Sequence, residues 1–283
     1  MSAKELDATN YRNGPKNNWR RTCWNAIRTH IRDPRDALTL YLPGAGNLDR
    51  PVAIRHGFKP GNLIAIESNP KVAQHIRREH KQTVIDGRLL DVMNAWPAKH
   101  RVSVVIADMC TGFDGEAIGL LPVWVGSEAF RNSCLVLNVM RGRERGVVAR
   151  KIRTEHCIPS SPLPPAHRAH SILSAFIFYV GYIYSGAFSV TTWSEPPAFD
   201  HARHQAWIHS NLERCFRQWF DFCVLPSYRS PAGMYFDTVL LADFGRAPRE
   251  VGGVSDAMQA MRRQITAALA VRTMRLRGDF NNG

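Results

Sequence analysis

Nearly continuous apolar runs punctuate the first half of the chain, each followed by a segment of helical character. Leu38–Leu42 predicts a strand ending in the turn Pro43-Gly44-Ala45-Gly46-Asn47. Val52–His56 predicts a short helix, and Asn62–Glu67 a second strand closed by Ser68-Asn69-Pro70. Proline is tolerated in a first helical turn, so Pro70 suits the start of a helix running to about His80. Thr83–Ile85, Val102–Ala107 and Ser133–Met140 supply three further strands, with a helix inside Glu116–Phe130 between the last two. Strands apolar on both faces and separated by helices predict a parallel sheet covered on both sides.

The remaining segments are different in kind. Residues 1–36 are polar and basic, with Trp19 and Trp24 set among the charges. Trp24, Ile27 and Ile31 recur at helical spacing. Such tryptophans suit either stacking on bases or packing on a core. Residues 141–215 begin with a basic run, pass through the proline-rich stretch Ile158–Pro165 and reach Ser171–Thr192, which carries no charge. That last stretch is long enough to cross a bilayer, but its tyrosines, serines and glycines suit a buried helix followed by a buried strand. No membrane span is therefore expected. Ala202–Trp219 predicts a helix, and Phe220–Pro226 and Met234–Phe244 a hairpin. Val254–Arg277 predicts a final amphipathic helix with Met258, Met261, Ile265 and Leu269 on one stripe. The expected organisation is a basic extension (1–36), an α/β domain (37–245) with a helical insertion at about 141–215, and a C-terminal helix (246–283).

Charge changes the picture of partners. The chain of 283 residues carries a formal net charge of +13, and such a balance favours a polyanion, with nucleic acid the usual one. Lys16, Arg20, Arg21, Arg141, Arg143 and Arg145 are the candidate contacts. The six cysteines form no C-x-x-C pair, and His156 to His209 match no zinc spacing. No metal is expected, and unpaired thiols suit a reducing, cytoplasmic setting.

Open parallel sheets bind ligands beyond the carboxyl ends of their strands. Gly44 and Gly46 follow the first strand, Glu67 ends the second, Asp91 follows the third and Asp108 ends the fourth. A carboxylate 21 positions beyond Gly46 can accept both hydroxyls of a ribose. This succession resembles the class I S-adenosylmethionine-dependent methyltransferases. The resemblance covers residues 38–140 and, weakly, the hairpin at 220–244. The stretch from Tyr41 to Pro70 is also similar to uncharacterised methyltransferase-like proteins of phages and mobile elements.

The resemblance implies a Rossmann-like methyltransferase sheet, mostly parallel with a C-terminal antiparallel hairpin, plus helical additions. It implies S-adenosylmethionine as cofactor. Gly44, Ala45 and Gly46, with Pro43, would flank its methionine part; Glu67, with Ser68, would hold the ribose; Asp91 and Val92 would border the adenine. Asp108 would sit by the methionine amine or the transfer centre, as the catalytic candidate. The chain departs from the family pattern in several places. Leu42 and Leu48 stand where an acid and a third glycine are usual, and Asp108-Met109-Cys110 replaces the aromatic signature of amino-methylating enzymes. No K-D-K-E set for ribose methylation is evident. The expected function is methyl transfer to nucleic acid. The alternatives are an inactive methyltransferase-like fold serving as a nucleic-acid-binding or assembly protein, and a nicotinamide-dependent oxidoreductase, whose full glycine motif is absent.

Overall fold

The computed structural model describes residues 14–109, 115–140, 220–230, 233–243 and 261–272. Expectations for Arg141, Arg143, Arg145, the uncharged stretch 171–192 and the helix at 202–219 lie outside these residues.

Among the described residues, seven strands form one sheet in the order β3-β2-β1-β4-β5-β7-β6. These are β1 Thr39–Tyr41, β2 Leu63–Glu67, β3 Thr83–Asp86, β4 Val104–Asp108, β5 Cys134–Met140, β6 Phe220–Arg229 and β7 Tyr235–Asp243. The first five are mutually parallel. Strand β7 runs antiparallel to β5, with Cys134 opposite Ala242 and Met140 opposite Phe236, and β6 completes the hairpin. This is a mostly parallel Rossmann-like sheet with an antiparallel C-terminal pair: the strand pattern led us to expect the parallel strands and the hairpin, and the resemblance implied their union in one sheet. The strand order reverses between the parallel β1 and β4, so a crevice opens at the carboxyl ends of those two strands.

Helices cover both faces, as the apolar strands require. On one face lie α4 Leu89–Ala95, α5 Gly115–Gly126 and α6 (261–272). Val92, Met93, Leu120, Trp124, Ile265 and Leu269 pack there on Ile64, Ile66, Val105 and Leu137. The buried indole of Trp124 donates to Ser133 Oγ at 2.7 Å, which meets its polar requirement. On the other face lie α1 Gly14–His30, α2 Asp49–Arg55 and α3 Pro70–His80. Asn69 caps α3 by accepting from the N–H groups of Lys71 and Val72, one position before the proline that opens the helix.

The basic N-terminal stretch thus contributes a helix to the core. Trp19, Cys23, Trp24 and Ile27 are each no more than 3% exposed and pack on Tyr41, Phe58, Ile106 and Val136. Of the two readings for the tryptophans, packing is the one observed. Three unpaired cysteines, Cys23, Cys134 and Cys223, lie among the described residues, the first two buried. No described helix is long and apolar enough to cross a membrane, and no described cluster of His, Cys, Asp and Glu could hold a metal ion.

Candidate functional site

The carboxyl edge of the parallel strands gathers the polar residues picked out from the strand pattern. After β1 the chain turns through 44–48. Gly44 has φ +57°, which side-chain-bearing residues rarely adopt, and a Cβ placed there would meet no atom within 4 Å. The loop therefore presents bare, exposed backbone to the open side of the edge. Pro43 and Ala45 are buried behind it, and Gly46 is partly exposed. Asn47 also has positive φ, at 45°. Its Oδ1 accepts from the buried Tyr41 hydroxyl at 2.7 Å, while its Nδ2 is buried without a hydrogen-bond partner. A buried donor left without an acceptor costs about 1–3 kcal/mol.

Glu67 ends β2 half-buried, beside the exposed Ser68. Its Oε1 accepts the N–H of Asn69 at 2.8 Å. Burial pushes its carboxyl above the ordinary glutamate range, against the lowering effect of the backbone N–H groups of Asn69 and Ser68. Among the described residues no cation pairs with it. Asn69 caps α3, and Glu67 in turn holds the N–H of Asn69. A desolvated carboxylate with an oxygen to spare fits the two hydroxyls of a ribose. By chemistry, a bare backbone turn suits the methionine part of S-adenosylmethionine and the Glu67 carboxylate suits its ribose.

Beyond β3 the picture is less simple. Asp91 lies in the first turn of α4, partly exposed, and is paired with Arg88 through two hydrogen bonds of 3.0 and 3.2 Å. Val92 is fully buried in the core, and its N–H is taken by the Arg88 carbonyl. Of the two residues expected beside an adenine, only Asp91 reaches the surface. Gly87, between β3 and α4, has φ +154°, and a Cβ there would lie 2.7 Å from Met261 Cε of α6. Met261 Cε is the end of a flexible side chain that can move aside, so it is the positive φ that favours glycine there.

Asp108 ends β4 inside a buried polar network. Lys16 Nζ lies 2.6 Å from both carboxylate oxygens and 2.7 Å from the Tyr228 hydroxyl. It also sits 4.0 Å from the ring centre of Trp19. Asn138, the neighbour of Asp108 on β5, donates to Asp108 Oδ1 at 2.5 Å and to the Tyr228 hydroxyl at 3.1 Å. Thr238 of β7 donates to Asn138 Oδ1 at 2.7 Å and accepts from the Trp19 indole at the same distance. Donors and acceptors match along the whole chain of groups, which fixes each side chain's orientation. A second pair sits one helical turn along α1: Arg20 Nε is 3.2 Å from Asp49 Oδ2, and the Trp24 indole donates to Asp49 Oδ1 at 3.1 Å. Burial pushes the Asp49 carboxyl up, with Arg20 opposing.

Lys16 and Arg20 had been expected to face a nucleic acid. They are only 1% and 6% exposed, and their charges are met by Asp108 and Asp49. The reason is helical periodicity: positions 16, 19, 20, 23, 24 and 27 form the inward stripe of α1. Arg21, on the outward face, remains exposed. The strand pattern alone did not single out Asn138, Tyr228, Thr238 or Asp49. Lys16 meets Asp108 across 92 positions, a pairing that no local motif announces.

No family model matches this chain, and no curated protein matches it. Solved structures do. An O-methyltransferase from Bacillus cereus, solved with S-adenosylhomocysteine, is 10% identical, with a TM-score of 0.44 over 85% of this chain and 86% of that one. A SAM-dependent methyltransferase from Archaeoglobus fulgidus is 13% identical, with a TM-score of 0.37 over 79% of this chain and 94% of that one. A protein of Streptococcus thermophilus, provisionally described as a hemolysin, is 11% identical, with a TM-score of 0.42 over 92% of this chain and 76% of that one. Likeness at this level concerns architecture alone, and the strand order stands without it.

Proposed function

We propose that this chain is an S-adenosylmethionine-dependent methyltransferase acting on nucleic acid. The observation that carries the reading is the pairing, at the carboxyl edge, of the bare Gly44 turn with the half-buried Glu67, which no described cation engages. Gly44 and Gly46, with Pro43 and Ala45 behind them, would face the methionine part of the cofactor. Glu67, beside Ser68, would accept from its ribose, and Asp91 would lie toward the adenine. Bound S-adenosylmethionine would supply a methyl group already activated on a sulfonium.

What the chain itself contributes is alignment. Asp108 ends the strand next to β1, at the crevice, and its carboxylate is held by Lys16 and Asn138 in one orientation. Fixed in this way, it can accept a hydrogen bond from an incoming hydroxyl or amine and receive its proton. The excess of basic residues supports a polyanionic methyl acceptor.

A second reading is supported by the same network. Asp108 already has a lysine on both of its oxygens, an arrangement that also suits a structural pair in an inactive fold that binds nucleic acid without modifying it. Incubation with radiolabelled S-adenosylmethionine and total nucleic acid separates the two. Label in nucleic acid supports the enzyme. Saturable cofactor binding without any label supports the inactive fold.

A further inference from the structure

We propose that the amino edge of the sheet, opposite the candidate active site, is a docking surface for the phosphate backbone of a nucleic acid. In a sheet wound this way each helix returns to the edge where the next parallel strand begins. The geometry marks that edge clearly. His30, at the end of α1, has Nε2 3.4 Å from Asp221. Asp221 is opposite Ala242, whose other neighbour, Cys134, begins β5. Helix α2 ends at Arg55 and leads through the 3-10 turn Pro60–Asn62 into β2. At the end of α6, Arg272 Nε donates to Asn62 Oδ1 at 2.7 Å.

Cations collect there. Arg28, Arg32, Arg55, Arg78, Lys81 and Lys99 are all exposed, and among the described residues none is ion-paired. They come from four different helix ends or connections and have no common sequence motif. Several acids of the same edge are engaged locally: Glu128 with Arg101 and Arg131, Asp221 with His30, and Asp33 with the N–H of Arg35. Two histidines register the resulting field. Partial burial and then the charges of Arg55 and Arg28 lower the pKa of His56; partial burial and then Lys99 and Arg272 lower that of His100.

The carboxyl edge is the reverse. It carries Glu67, Asp86, Asp91 and Asp108; of its cations, Lys16, Arg20 and Arg88 are held in ion pairs, and Arg50 and Lys71, in the first turns of α2 and α3, are in none of the described ones. Charge is therefore polarised along the strand axis. Complementing helix dipoles accounts for basic residues in last turns, such as Arg28, Arg55 and Arg78. It covers Lys81 too, which is the C-cap of α3, but it does not account for Arg32 and Lys99, which lie in connections. Exposed cations without ion pairs, gathered at helix ends and connections of one edge, suit phosphates, which reward charge without demanding a shaped pocket. The seven residues of β5 at about 3.3 Å each set the two edges roughly 23 Å apart. Nucleic acid docked at the amino edge would leave the carboxyl edge open. The inference rests on the fold and its charges, and stands apart from the cofactor reading.

Fluorescence anisotropy with labelled single-stranded RNA and duplex DNA, across a salt series on the full chain, tests it. The quadruple variant Arg28→Ala/Arg32→Ala/Arg55→Ala/Lys99→Ala should bind about tenfold or more weakly at low salt. Its log K against log salt slope should flatten by about 0.7–0.9 for each phosphate that is no longer neutralised. The charge-preserving variant Arg28→Lys/Arg32→Lys/Arg55→Lys should bind as wild type does, and Arg21→Ala should weaken binding far less than the quadruple variant. Circular dichroism and the urea unfolding midpoint should not distinguish the quadruple variant from wild type, which checks that it folds independently of any cofactor. The proposal is overturned if the quadruple variant binds like wild type. It is equally overturned if Arg21→Ala weakens binding as much, or if wild type binds vesicles of anionic phospholipid but no nucleic acid.

Discussion

Replacing Lys16 by Met should destabilise this protein heavily, although the residue lies in a stretch that reads as a solvated basic arm. Methionine keeps the unbranched stem and its packing on Trp19 but removes the ammonium. Asp108 then keeps the Asn138 amide as a donor and loses the lysine on both oxygens. The two side chains are 2% and 12% exposed, so water can replace the lysine only poorly. Breaking a buried pair by removing one partner costs about 3–5 kcal/mol. The small opening at Asp108 and the surviving Asn138 bond place this case near about 3 kcal/mol. At about 2–4 °C per kcal/mol for chains of this size, the melting temperature should fall by roughly 6–12 °C.

A double-mutant cycle isolates the pair. Asp108→Asn alone leaves Lys16 buried without its anion and should also destabilise. The double variant Lys16→Met/Asp108→Asn removes both charges and should recover much of the loss, since two neutral groups need no counter-charge. Urea unfolding of the four proteins gives the coupling. A coupling below about 0.5 kcal/mol, the size expected of independent sites, would refute the claim that α1 is held onto β4 by this ion pair.

Further outcomes follow from the same geometry. Asp108→Asn should lower methyl transfer by about 10²-fold or more, the usual range for a general base. An effect below threefold in a radiolabel assay removes Asp108 from the chemistry. Asp49→Ala should destabilise by stranding Arg20 and the Trp24 indole, both buried; an unchanged urea midpoint would argue against that pair. Cofactor affinity should decline with acidification at a pH above the ordinary glutamate value of about 4.3. Burial raises the Glu67 carboxyl, so protonation, which removes an acceptor from the ribose, sets in before it would for a solvated glutamate. Calorimetry across pH should show this midpoint in wild type and not in Glu67→Gln.

The sheet was legible because its strands are buried on both faces. Runs such as Val104–Asp108 and Cys134–Met140 have no polar alternation to confuse, and turn residues close each one. Boundaries moved where caps were hidden. Helix α2 begins at Asp49, ahead of the expected Val52, because Asp49 is drawn inward by Arg20 and Trp24. The hairpin extends to Arg229, with an irregularity between Leu225 and Tyr228 where Pro226 falls; a proline cannot donate to the ladder. The strand-end residues Gly44, Glu67 and Asp108 were found from position alone. Their partners were not, because Lys16, Asn138, Tyr228 and Thr238 come together only when α1 and the hairpin fold onto the sheet. Lys16 and Arg20 show how charge counting misleads. Both count toward the basic excess, yet both are neutralised inside the protein.

The central claim is that the carboxyl edge binds S-adenosylmethionine through the Gly44 turn and Glu67. Isothermal calorimetry of the full chain with S-adenosylmethionine, run beside Glu67→Ala, tests it most directly. Two charge-assisted hydrogen bonds from ribose hydroxyls contribute roughly 1.5–3 kcal/mol each. The account predicts saturable, single-site binding by wild type and at least a tenfold loss in the variant, with the fold intact by circular dichroism. No binding by wild type, or equal affinity in both proteins, would contradict it.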